Sequence, residues 1–242
     1  MLEKGGSVRV WKKSRKTKSE LKKRNALITE SNPKSPISEQ FRNVRTNLQY
    51  ASIDEDVSVI MTTSSGPGEG KSTVNSNVAV SIAQQGKKVL VIDADLRKPT
   101  VHYIFQTTNQ YGLSNSLTSP DTLTDSIKKT KVEGLEVLTS GPIPPNPSEL
   151  LGSNRMKTFI ASLKETYDYI ILDTPPLLAV TDAQILAGLC DGVILVVSSK
   201  QTTKEEAAKA KELLKHTNAK ILGGVLNRQD KKAGNYMYYY GQ

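Results

Sequence analysis

The chain has 242 residues, a formal net charge of +9 and one cysteine, Cys190. That length suits one large domain with tails, no run approaches the ~20 apolar residues of a membrane span, and a lone cysteine excludes an internal disulfide. With His102 and His216 so far from each other and from Cys190, zinc-ligand spacing and a Cys/His dyad are excluded too, and the absence of a signal-peptide pattern points to the cytoplasm.

The charge is uneven. Residues 1–30 carry Lys4, Arg9, Lys12, Lys13, Arg15, Lys16, Lys18, Lys22, Lys23 and Arg24 against Glu3, Glu20 and Glu30, which is +7 of the total +9. The rest is close to neutral, so a specific nucleic-acid role is not expected of it. Two readings of the basic segment stand side by side: a solvated linker, or a contact with an anionic membrane surface helped by Val8, Val10 and Trp11. Residues 1–35 are expected to be flexible, ending at Pro33 and Pro36. Ser38 then offers a cap to a helix over Ile37 to Tyr50, where Glu39, Arg42 and Arg45 recur every three residues as one charged ridge. The ridge is either a self-paired solvated face or a subunit contact.

Next comes an apolar run, Val57 to Thr63, that reads as a strand. The stretch Gly66-Pro67-Gly68-Glu69-Gly70-Lys71-Ser72-Thr73 follows, and then a helix from Val74 to Gln85. Strand, glycine-rich loop, Gly-Lys-Ser and helix form the context of a phosphate-binding loop, although Ser65 stands at the first glycine position of the strict pattern. Glycines let successive backbone N–H groups curl around an anion, and the helix dipole points at the same place. Lys71 would neutralise phosphate charge and the Ser72 hydroxyl would ligate Mg²⁺.

The run Lys88 to Asp95 shows no alternation, as a buried parallel strand should, and ends in Asp93 and Asp95 at i and i+2. Residues 113–130 read as helical and irregular by turns, and Leu135 to Leu138 as a short strand. A proline-rich loop over Gly141 to Pro147 is followed by Ser148, read as the cap of a helix to about Tyr167. A second buried strand, Tyr169 to Asp173, stops at Pro175 and Pro176, and an aspartate so placed opposite a phosphate loop reads as a Walker B metal residue. Helix 181–190, strand 192–197, helix 203–216 and strand 220–226 complete the pattern. Strands alternating with helices predict an α/β fold of P-loop NTPase type, a mostly parallel sheet covered by helices on both faces. The division expected is a basic segment over 1–35, a P-loop domain over 36–228 and a tail over 229–242 holding Tyr236, Tyr238, Tyr239 and Tyr240.

Together, the phosphate loop, the stretch Val91 to Pro99 with its two aspartates, the strand through Asp173, the Glu39-Arg42-Arg45 ridge and the tyrosine tail resemble the bacterial tyrosine kinase family of capsule and exopolysaccharide synthesis. The resemblance covers nearly the whole chain from Pro36. It implies an ATP- and Mg²⁺-dependent protein-tyrosine kinase that autophosphorylates Tyr236, Tyr238, Tyr239 and Tyr240 in trans. It implies a ring-like homo-oligomer, an octamer in the family, with Glu39, Arg42 and Arg45 at the contacts. It further implies a membrane-anchored adaptor, or co-polymerase, that recruits the cytoplasmic chain to the inner face of the membrane, and a cognate tyrosine phosphatase. Residues 1–30 would also suit such an adaptor's own juxtamembrane tail, so a native and a grafted origin both stand.

Relatives by fold, the septum-site and partition ATPases, carry a lysine near the start of the loop; here that position is Gly66, which argues against their sandwich dimer. The roles then fall to Lys71 and the loop amides from Gly66 to Thr73 for the phosphates, and to Ser72, Asp95 and Asp173 for Mg²⁺. One of Asp93 and Asp95 takes the tyrosine proton while the other supports the metal, with both assignments open. Asn227 and Arg228 lie where relatives by fold contact adenine. An ATPase switch or scaffold without kinase output is the competing reading; it shares every nucleotide residue and has no need of the tyrosine tail.

Overall fold

The computed structural model of the chain describes residues 27–51, 57–119, 123–217 and 219–229. Most of the basic segment and all four tail tyrosines lie outside the described residues.

Five strands read from apolar runs form most of the sheet: β1 (Val59–Ser64), β2 (Val89–Asp93), β5 (Tyr169–Asp173), β6 (Gly192–Ser198) and, at one edge, β7 (Ile221–Asn227). Two short strands, β3 (Ile127–Lys129) and β4 (Leu135–Leu138), extend one side, giving the order β3-β4-β2-β5-β1-β6-β7. All neighbours run parallel except β3, which pairs antiparallel with β4 at the edge. The expected α/β class therefore holds, with the irregular 113–130 stretch resolving into α5 (Leu113–Thr118), α6 (Leu123–Ser126) and β3.

Successive strand residues face opposite sides, so parity in sequence decides which core a side chain joins. Val59, Met61, Leu90, Ile92, Ile170 and Leu172 pack with Met156 and Ile160 of α8 (Asn154–Leu163) and Leu214 of α10 (Lys204–His216). Ile60, Val89, Val91, Ile171, Ile194 and Val196 pack against Val74, Val78 and Ile82 of α3 (Lys71–Ala83) and Leu48 of α2 (Pro36–Ala51). With apolar side chains on both faces, the strands show no alternation, as a doubly covered parallel sheet requires.

Local capping differs from the sequence reading in two places. Helix α2 starts at Pro36, because Ser35 Oγ accepts the Ser38 amide at 3.1 Å and proline suits the first helical position. Ser38 is buried instead and donates to the carbonyls of Asn32 and Ile28 at 2.7 and 3.2 Å. The expected single helix from Ser148 is two, α7 (Pro147–Leu151) and α8, because Ser153 accepts the Met156 amide and starts the chain afresh. Within the segment expected to be flexible, residues 28–31 form helix α1 (Ile28–Ser31). Thr29 there is 1 % exposed and donates its amide and hydroxyl to Asn77 Oδ1 at 3.0 and 2.8 Å, which fastens the lead-in to α3. The remaining short helices are α4 (Val101–Ile104) and α9 (Asp182–Ala187), and among the described residues no helix is long and apolar enough to cross a membrane.

Ile171 is fully buried at the centre of the sheet. Ile171→Ala is expected to cost about 2–5 kcal/mol in urea unfolding with an unchanged denaturant slope, while Lys157→Ala on exposed α8 should fall within about 0.5 kcal/mol of the parent.

Candidate active site

The site forms where β1, β2 and β5 end, because β5 lies between the other two. Between β1 and α3 the chain turns through Gly68 and Gly70 at φ +77° and +96°, the left-handed region that favours glycine. None of the backbone amides of residues 68–73 donates to a described residue, and the first helical bond beyond them is Val74 N to Gly70 O at 3.0 Å. A curl of unpaired N–H groups at a helix N-terminus is an anion cradle.

Lys71 opens α3 and turns back under the loop. Its Nζ donates to Asp95 Oδ2 at 3.0 Å and lies 3.6 Å from Asp173 Oδ1. Burial pulls the ammonium's pKa down, but Asp173, Asp95 and Asp93 outweigh it and leave it raised. Asp93 and Asp173 are register partners on β2 and β5. Asp93 is fully buried; its carboxyl accepts the amides of Thr100 and Val101, each at 3.0 Å, and of Asp95 at 3.3 Å. Burial first, and then the charge of Asp173, push it up to about 8 against the pull of Val101 and Lys71. Burial also raises Asp173, with Lys71 and the Ser72 hydroxyl opposing. Asp95 Oδ1 accepts the Lys98 amide at 2.9 Å, so its two oxygens are divided between the backbone and Lys71.

The donors suit Mg²⁺ in a particular way. Both oxygens of Asp173 are buried without a close hydrogen bond among the described residues, Lys71 Nζ standing 3.6 Å from Oδ1, and the Ser72 hydroxyl nearby accepts from Thr100 Oγ1 at 2.9 Å. The described residues hold no ready-made cage of three or more metal-ligating side chains. One carboxyl and one hydroxyl, with water and phosphate oxygens completing the octahedron, is how Mg²⁺ is commonly held beside a nucleotide.

Two residues of the expected nucleotide set turn elsewhere. Glu69 is 1 % exposed and points beneath its own loop, accepting the amides of Ser65 and Gly66 and the Thr202 hydroxyl. Asn227 donates to Glu69 O at 2.8 Å and accepts the Arg228 amide at 2.9 Å, so it braces the loop; Arg228 beside it takes φ +59°. Sequence reasoning missed Thr202 and Gln201, whose only signal is a polar cluster at the carboxyl end of β6. It also missed the pairing of Arg97 with buried Asp182: Nε and Nη2 donate at 2.8 and 3.0 Å, and Ser148 Oγ adds a bond at 2.6 Å. That network ties the segment after Asp95 to α7 and α9. The ridge on α2 divides: Glu39 and Arg42 pair with each other on the surface, while Arg45 turns inward and donates to Ser81 O on α3 at 2.9 Å.

Comparison with known proteins agrees with this geometry. An AAA domain family matches residues 57–222. The tyrosine-protein kinase YwqD of Bacillus subtilis is 50 % identical over 226 residues, 93 % of this chain and 95 % of that one. Among solved structures, the chimerical protein CapA2B2 superposes with a TM-score of 0.83 at 49 % identity, covering 86 % of this chain and 91 % of the other. The kinase domain of the Escherichia coli tyrosine kinase Etk gives 0.81 at 35 % identity, covering 89 % and 85 %.

Burial raises the pKa of Asp182, but the bonds from Arg97 and Ser148 overcome it and hold the carboxyl below its ordinary range. A depressed folded pKa contributes stability above the unfolded value, about 3.9, that is lost as pH falls through the folded value. Arg97→Ala should therefore cost about 1–2 kcal/mol at pH 7, the half-exposed guanidinium being screened. In a pH series of urea midpoints the gap from the parent should close once the pH drops below 4; a gap constant down to the most acidic point would refute the linkage.

Proposed function

The chain belongs to the bacterial tyrosine kinase family and is a protein-tyrosine kinase, and we propose that its phosphate loop takes MgATP and delivers the γ-phosphoryl group to the chain's own tail tyrosines. The observation that carries the proposal is Lys71, held between Asp95 and Asp173 behind a loop of unpaired amides.

On this reading the amides of residues 68–73 and Lys71 hold the β- and γ-phosphates. Asp173 and Ser72 are the donors for Mg²⁺, with Asp95 behind Lys71 backing them. The metal, when bound, neutralises phosphate charge that would otherwise face three aspartates. One of Asp93 and Asp95 takes the phenolic proton: a free tyrosine holds it with a pKa near 10, and a carboxylate beside Mg²⁺ is what makes its oxygen usable at neutral pH. As the tyrosine oxygen bonds to the γ-phosphorus, the bond to the β-phosphate oxygen breaks, and ADP leaves with that electron pair.

The acceptors are Tyr236, Tyr238, Tyr239 and Tyr240, reacting in trans. Strand β7 ends at Asn227, on the edge where the loop sits, and from there an extended chain reaches roughly 40 Å to Tyr240. That span suits a neighbour's site better than the sharp return needed for its own. A ring-like homo-oligomer follows as the assembly. Glu39 and Arg42 on the exposed side of α2 are its contact residues, and Arg45 on the same helix supports them by its bond to Ser81 O of α3. A membrane-anchored adaptor recruiting the kinase to the inner face of the membrane, a phosphatase that resets the tail, and a role in capsule or exopolysaccharide synthesis complete the proposal. One solved relative, CapA2B2, is itself a chimerical protein.

Two proteins mixed together test it: Lys71→Met with an intact tail, and an active chain whose four tail tyrosines are phenylalanine. With labelled ATP and Mg²⁺, phosphate should appear on the Lys71→Met chain, and Lys71→Met alone should label at least a hundredfold more slowly than wild type (about 2.7 kcal/mol). Label absent from the Lys71→Met chain, while wild type labels its own tail, would sink transfer in trans. Label of wild type outside the four tyrosines would sink the choice of acceptor.

A further inference from the structure

We propose that Glu69 and Thr202 are positioning residues that set the curvature of the phosphate loop from the turn between β6 and α10. The inference rests on the reading of this loop as the nucleotide site.

The amides of the loop fall into two sets. Those of Ser65 and Gly66 point inward and donate to Glu69 Oε2 and Oε1, both at 3.1 Å, while those of residues 68–73 are left for an anion. A single side chain thus fixes two peptide planes on the ascending limb, and the remaining planes fan to the opposite side. Glu69 is buried beneath the loop and needs a third partner to fix its carboxylate plane. Its anchor is Thr202, whose hydroxyl donates to Oε1 at 2.7 Å. A hydroxyl has one proton to give, and its direction here is set by what it accepts: the Ser198 amide donates to the same oxygen at 2.8 Å. The proton of Thr202 is therefore committed to Glu69.

Two more bonds grip the loop, one of them from the same turn. Gln201 Nε2 donates to Pro67 O at 2.8 Å. Asn227, at the end of the adjacent strand, donates to Glu69 O, and its amide covers Gly70 so closely that a Cβ there would come within 2.2 Å of Asn227 Nδ2. The turn is itself rigid, since Thr203 caps α10 in a reciprocal bond pair with Glu206. Neither Glu69 nor Thr202 faces the anion cradle. They act through the aim of its donors, which costs least in binding when it is fixed beforehand.

Thr202→Val keeps the shape and removes both hydroxyl bonds, while Thr202→Ser keeps the bonds. Equilibrium titration with a fluorescent ATP analogue and Mg²⁺, paired with steady-state KM and kcat for ATP, reads the effect. Thr202→Val should weaken binding and raise KM about tenfold, with kcat at saturating ATP within about twofold, and Thr202→Ser should restore both. A general loss of structure would lower kcat and the thermal midpoint together and would not be rescued by serine. Thr202→Val with the affinity and KM of wild type overturns the brace. Should Thr202→Val fail to fold, Gln201→Ala releases only Pro67 O from an exposed side chain and must still raise KM selectively; an unchanged KM there overturns the brace as well. A wild-type chain that binds no nucleotide at all overturns the loop reading itself, an outcome distinct from a variant that matches a binding parent.

Discussion

A buried ammonium held between two carboxyls, Asp95 just past the end of β2 and Asp173 at the end of β5, is the interaction on which the site depends. The side chain of Lys71 is 10 % exposed, that of Asp95 5 % and that of Asp173 0 %. Taking each such charge from water costs several kcal/mol, and only close opposite charge offsets it. Burial makes Asp93 and Asp173 hold their protons more tightly than ordinary carboxyls, and with three aspartates around one lysine the surplus of neighbouring negative charge adds to it. A triphosphate alone would deepen the surplus and compete with Asp95 for the lysine. The same nucleotide arriving with a divalent cation relieves it.

That arrangement is a product of sheet order. Placing β5 between β1 and β2 sets Asp173 in register with Asp93 on one side and with Thr62 on the other. Parity then turns Asp93 and Asp173 to the α3 face, where the even-numbered Ile60 of β1 and the odd-numbered Val91 and Ile171 also point. Helix α3 covers that face and brings Lys71 in at its first residue. A slip of one residue in either strand would send an aspartate into the opposite apolar core.

Much of this was legible in the sequence because its signals are local. An apolar run ending in Asp173 and stopped by Pro175 and Pro176, or glycines followed by Lys71 and Ser72, says what it is within ten residues. Capping is less local: Ser35 and Ser38 both suit the start of α2, and only the burial of Ser38 against α1 decides for Ser35. The direction of a long side chain is not local at all. Spacing put Arg45 on a ridge with Glu39 and Arg42, and a carbonyl on α3, 36 residues away, turned it inward. Glu69 has the look of a loop-tip glutamate, and its partner Thr202 is 133 residues on.

The aspartates of this chain show how environment sorts one residue type into two kinds of work. Asp191 stands at the amino end of β1, where it accepts the amides of Ser58 and Val59 and pairs with Lys164 at 3.0 Å. Those bonds overcome its burial and hold its pKa down, as Arg97 does for Asp182. Each has enough donors for its charge. At the opposite edge of the same sheet Asp93 and Asp173 are buried at least as deeply and shifted the other way, since burial comes first there and neighbouring carboxyls add to it. A carboxyl with a satisfied charge fastens the fold; one left short retains an appetite for a proton or a cation, which is what phosphoryl transfer to a phenol asks of it. The sign of the shift separates carboxyls that hold a cation of their own, Asp191 with Lys164 and Asp182 with Arg97, from those that crowd around one shared lysine.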